Sequence, residues 1–130
     1  MAPTLVFSIP CRDLGETWTG QGPIEPFWIG VEVQGKLPGQ VIVSIVNRWY
    51  APQGRHRLVT RLIPPWPEAE PALRRSTETD HDFFVLHDFV HHSRLGLVVL
   101  EEGIWQCSIE CDGGEVQRYP LSVIGQKQDS

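Results

Sequence analysis

From Trp105 to Cys111 the side chains alternate without a break: Trp105, Cys107, Ile109 and Cys111 are apolar, and Gln106, Ser108 and Glu110 between them are polar. Helical faces repeat about every 3.6 residues, so a period of two fits no helix. On an extended chain it gathers the four apolar groups on one side, which makes this segment a strand with one dry and one wet face. Asp112-Gly113-Gly114 follows directly. These residues accept positive φ at little cost, as a tight hairpin requires, so residues 115–124 are expected to return as the last strand.

The remainder is cut into similar lengths by eleven prolines and twelve glycines. Residues 4–9 read as a first strand closed by Pro10, and 13–26 as a Gly-, Thr- and Pro-rich loop before a strand at 27–33. Residues 35–39 form a turn. Strands at 41–49 and 56–63 flank Pro52-Gln53-Gly54 and are expected to make a hairpin. Pro64, Pro65, Pro67 and Pro71 form a rigid connector, with room for one helical turn at 68–75 and further strands at 83–90 and 95–100. About eight short strands without βαβ alternation predict an all-β chain. The expected architecture is an immunoglobulin-like antiparallel β-sandwich of about seven to nine strands with little or no helix. One domain is expected over residues 1–125, with 126–130 a frayed tail.

The closing segment VVLEEGIWQCSIECDGGEVQRYPLSVI, with FSIPCRDL near the start and GRHRLVTRLIPP mid-chain, resembles a bacterial family of immunoglobulin-like β-sandwich proteins known as a domain of unknown function. Where that family carries two acidic residues after the early cysteine, this chain has Arg12 and Asp13. The resemblance covers most of the chain and implies the fold, but no activity.

Charge and cysteine count narrow the function classes. A net charge of −5 disfavours broad binding to nucleic acid or an anionic membrane. No apolar run approaches the roughly 20 residues of a membrane helix, so a soluble protein is expected. No basic n-region precedes the first apolar stretch, and Ser-Ile-Pro before Cys11 is a poor lipoprotein context. Cys11, Cys107 and Cys111 make an odd number, so they cannot all be bridged within one chain. The expected setting is the cytoplasm.

Four groups of residues invite a functional reading. His87-Asp88-Phe89-Val90-His91, followed by His92, imitates a helical zinc motif with Asp for Glu. On a strand, however, residues four apart share a face at about 13 Å, too far to hold one ion. The bland reading, histidines on a strand and its exit, is favoured. His87, His91 and His92 remain the candidate metal ligands, His91 and His92 through an adventitious or intersubunit site. Arg55, Arg57 and Arg61 share one parity, and Arg48 on the facing strand is expected to join them in an anion- or partner-binding stripe; such stripes are more often solvated faces neutralised by carboxylates. Five tryptophans raise carbohydrate stacking: Trp105 reads as core, whereas Trp18, Trp28, Trp49 and Trp66 near loops and strand ends are platform candidates. Cys107 and Cys111, about 13 Å apart on one face, read as buried thiols.

Strands apolar on both faces, at Val41-Ile42-Val43 and Leu97-Val98-Val99-Leu100, call for a second cover, either a loop or another subunit. No nucleophile–base pair or phosphate loop is legible. The expectation is a non-enzymatic interaction or structural module with a protein partner, a homodimer included, and no cofactor. A small-ligand or carbohydrate binder is the alternative, and a metal hydrolase on His87 and His91 comes third.

Overall fold

Extended chain forms where the sequence can send one set of alternate side chains inward, and among the described residues of the computed structural model it does so eight times. The structure describes residues 3–12, 14–15, 18, 32–65, 76–83 and 87–125. The strands are β1 (Thr4–Arg12), β2 (Glu32–Gly35), β3 (Gly39–Tyr50), β4 (Arg55–Ile63), β5 (Ser76–Asp82), β6 (Asp88–Val99), β7 (Gly103–Cys111) and β8 (Gly114–Gly125). Among the described residues there is no helix, and so none long and apolar enough to cross a membrane. The helical turn expected at 68–75, the strand residues 27–31 and the tail 126–130 lie outside the described residues.

One sheet has the order β1-β3-β6, the other β2-β8-β7-β4-β5. All neighbours are antiparallel except β2 and β8, which run parallel. This is the immunoglobulin arrangement. β1, β3 and β6 take the places of strands A, B and E, and β5, β4, β7 and β8 those of C′, C, F and G. The inner faces meet in a core of Val43, Ile45, Trp49, Leu58, Leu62, Leu95, Leu97, Trp105, Cys107, Ile109, Leu121 and Val123, each at most 1% exposed. Trp105 stands two residues before Cys107 near the start of β7, where antibody domains carry a tyrosine before their bridging cysteine. β3 offers Cys107 no cysteine in return, and all three thiols are free and buried.

Hydrogen bonds tie the layers where the inner faces turn polar. Asn47 Nδ2 on β3 donates to Thr60 Oγ1 on β4 at 2.8 Å. Thr77 on β5 donates to Ser93 on β6 at 2.5 Å. Across the opposite side, the hydroxyls of Ser8 on β1 and Tyr119 on β8 lie 2.9 Å apart.

The structure corrects several boundaries. Pro10 lies inside β1 rather than ending it, because β1 is an edge strand and can lack one amide donor. The strands flanking Pro52-Gln53-Gly54 do not form a hairpin. β3 and β4 belong to different sheets, which lets Trp49 and Leu58 face one core from opposite layers. That crossing is pinned where Ala51 N donates to His87 O and Phe83 N to Gly54 O. Among the described residues, those expected in two strands at 83–90 and 95–100 belong to one, β6, from Asp88 to Val99, with Phe83 in a turn; residues 84–86 lie outside the described residues. Its polar middle, His91-His92-Ser93-Arg94, runs through without a break. β5 escapes an apolar pattern altogether, because its half-buried side is Thr77, Thr79 and His81. The Asp112-Gly113 turn forms as expected, with φ of 51° and 85°.

Removing the Asn47 amide strands a buried Thr60 hydroxyl. Asn47→Ala is expected to cost about 1–3 kcal/mol in urea unfolding, and the double variant Asn47→Leu/Thr60→Val distinctly less than the sum of its parts. An additive double variant would mean that the two side chains are not coupled.

Candidate functional site

The arginines divide between the layers. Arg55, Arg57 and Arg61 do line the outer face of the five-stranded sheet, on β4. Arg57 Nε donates to Asp80 Oδ1 at 3.1 Å and also lies 3.9 Å from Glu78, both on β5. Arg61 lies 3.4 Å from Glu110 on β7, and Arg55 stands opposite Asp82 in the β4–β5 register. The hydrogen bond from Arg57 holds the Asp80 carboxyl below its ordinary range. Arg48 does not join them. It projects from β3 in the other sheet, where its guanidinium clasps Asp88 through Nε at 2.9 Å and Nη2 at 2.5 Å. The expected stripe of four is therefore three arginines among carboxylates plus a separate ion pair, because β3 and β4 share no sheet.

Nor do the three candidate metal histidines converge. His87 lies in the bend before β6, exposed, with Nδ1 3.0 Å from the Ala51 carbonyl oxygen. His91 and His92 are adjacent on β6 and point to opposite sides. His92 Nε2 is 2.8 Å from Ser44 Oγ on the outer face, and its ring meets Trp18 edge-on at 5.3 Å. His91 faces the interior beside Phe89, which stacks on His81 of β5 at 3.7 Å. Among the described residues, His91 Nδ1, His81 Nε2 and Asn47 Oδ1 are buried there without a hydrogen-bond partner. Of the tryptophans, Trp49 is fully buried, contrary to its place among the platform candidates, and Trp105 is core as expected. Trp28 and Trp66 lie outside the described residues.

A different constellation forms at the tip of the β7–β8 hairpin. The ligand atoms of His56, Cys111 and Asp112 all lie within 4.8 Å of one another. His56 Nδ1 is 2.6 Å from Asp112 Oδ2, and Cys111 Sγ is 3.6 Å from the same oxygen. Asp112 N donates to Arg57 O, and Arg57 N donates to Asp112 Oδ1 at 2.9 Å, so β4 grips the turn from both sides. The His56 contact, then the Arg57 amide, hold the Asp112 carboxyl below its ordinary value. Burial first, and the Asp112 charge second, push the Cys111 thiol up to about 11. Burial does the same to Cys11 and Cys107, to about 11. The thiols are therefore protonated near neutral pH and are poor nucleophiles. On β4, His56 falls on the opposite side from Arg55 and Arg57, and nothing in the local sequence marks it as a site residue. Its partners lie over fifty positions away, and only the β4–β7 register, which sets Leu58 opposite Cys111, brings them together.

Scanned against models of protein families the chain matches none, and a search of curated proteins finds no match to it.

Burial, with smaller contributions from His92 and His81, holds the His91 imidazole at about 4 against an ordinary 6.5. Above the ordinary value it is neutral in both folded and unfolded chains and adds no pH dependence. Between those two values the unfolded chain takes up a proton that the folded one refuses, so stability falls as pH falls. This contribution approaches about 1.4 kcal/mol per pH unit. Urea unfolding at about pH 7 and about pH 5 is expected to show a smaller loss for His91→Gln than for the parent. Parallel pH profiles would assign the loss to other groups.

Proposed function

We propose that the chain is a non-enzymatic protein-interaction module whose docking element is the outer edge of β6. The carrying observation is how differently the four sheet edges are guarded. β1 carries Pro10 and an irregularity between Leu5 and Phe7. β2 is four residues long, and β5 sets Glu78, Asp80 and Asp82 outward. Prolines, bulges, charges and shortness are the devices that keep an edge from pairing with another chain. β6 has twelve residues, no proline, and only Asp88 and Arg94 as charges. Among the described strands it pairs with β3 alone.

The doubly apolar strands support the same reading. Over Ser44 and Val46 the outer face of β3 is covered from within the chain, where Leu14 N donates to Ser44 Oγ and Trp18 meets His92. Toward the end of β6 that cover gives out, leaving Val98 44% and Leu100 64% exposed. The occupant that fits is an extended apolar segment adding a strand, and a second β6 meets that description. In this reading the protein is a homodimer joined through β6. Its setting is cytoplasmic, in keeping with three unbridged cysteines. The family resemblance drawn from the closing hairpin belongs to the same reading.

Light scattering is expected to report a dimer for the parent chain. Val98→Lys, which puts a charge on the outer side of this strand, is expected to give a folded monomer with an unchanged circular dichroism spectrum. A parent that stays monomeric at high concentration, or a lysine variant that stays dimeric, would falsify self-pairing along β6.

A further inference from the structure

We propose that His56, Cys111 and Asp112 form a binding site for one zinc-class transition-metal ion at the β7–β8 hairpin tip. The donor set is one imidazole nitrogen, one sulfur and one carboxylate oxygen. Three such ligands with a fourth position left to water are a common arrangement for zinc. The spacing is near what the ion needs. Zinc bonds of about 2.0–2.3 Å in a tetrahedron set donor atoms about 3.3–3.8 Å apart. Cys111 Sγ and Asp112 Oδ2 are already 3.6 Å apart, His56 Nδ1 has to open from 2.6 Å off that oxygen, and all three donor atoms lie within 4.8 Å of one another.

Orientation is prepared as well. The Arg57 amide engages Asp112 Oδ1 and leaves Oδ2 as the atom facing Cys111 and His56. Such outer hydrogen bonds commonly aim a carboxylate at its metal. His56 is set by packing: its ring tilts against Phe83 at 6.0 Å, and its Nε2 edge lies against Gly54, where an added Cβ would stand 3.0 Å away. Nδ1 is thereby turned to the cluster. Cys111 is 9% exposed and Asp112 49%, so an ion can enter from the tip without the core opening. On binding, the thiol gives its proton to solvent and the thiolate sulfur forms the metal bond, as a zinc-coordinated cysteine requires. The sulfur distinguishes this site from one built on surface histidines.

Cobalt(II) added to the reduced, untagged full chain reads the site directly. One equivalent is expected to produce a thiolate-to-cobalt charge-transfer band with tetrahedral visible bands, and zinc to abolish them. Cys111→Ser is expected to lose the charge-transfer band, while Cys11→Ser/Cys107→Ser keeps it. Asp112→Asn suits the positive φ of the turn and is expected to weaken binding at least tenfold, as is His56→Gln. Should Cys111→Ser fold poorly, the parent chain supplies the second measurement: zinc is expected to protect Cys111 from alkylation, read by peptide mass. No charge-transfer band, a band that survives Cys111→Ser, or unchanged alkylation in zinc overturns the site.

Discussion

Everything in this molecule depends on two sheets excluding water from the faces they turn to each other. Trp49 from one layer and Trp105 from the other supply the largest buried side chains, and aliphatic residues of β3, β6, β7 and β8 fill the space around them. Apolar burial has no direction, so it holds the layers together without fixing how they slide. The Asn47–Thr60, Thr77–Ser93 and Ser8–Tyr119 hydrogen bonds add that direction, each joining a strand of one sheet to a strand of the other. A buried polar group left without its partner is costly, which makes such bonds sensitive to register.

The dry interior also explains the acid–base character of the buried groups. His91 is kept neutral and the thiols of Cys11 and Cys107 protonated because a charge there would lose its hydration without gaining a counterion. Outside the sandwich the rule reverses. Arg48, Arg57 and Arg61 keep water and carboxylates together, so their ion pairs shape the charge pattern of the surface more than its stability. The hairpin tip is intermediate. There Cys111, at the rim of the core, lies beside a solvated Asp112, which the other two thiols do not.

The sheet edges of the described strands differ in how they are guarded. Three carry proline and a bulge, shortness or charge, whereas β6 has no proline and, among the described strands, pairs with β3 alone. The apolar residues near its end, Val98 and Leu100, lie beyond the cover that Leu14 and Trp18 give the outer face of the same sheet. A long strand edge and exposed hydrocarbon thus lie on one side of the same sheet, the pairing of features that the proposed strand addition would use.

By itself the sequence determined the all-β class, the β7–β8 hairpin with its Asp112-Gly113 turn, and the shared parity of Arg55, Arg57 and Arg61. All three are local: period-two burial, positive-φ residues and same-side neighbours act within a few positions. It did not reveal β5, whose inward side chains are Thr77, Thr79 and His81, nor the continuity of β6 through four polar residues. It also read a hairpin where the chain crosses between layers, since a proline–glycine turn serves either connection. Only the tertiary structure decided which strands share a sheet. That decision separated Arg48 from the other arginines, parted His87, His91 and His92, and assembled His56 with Cys111 and Asp112. Strand pairing depends on how distant faces fit around a common core, and residues fifty positions apart carry no local mark of it.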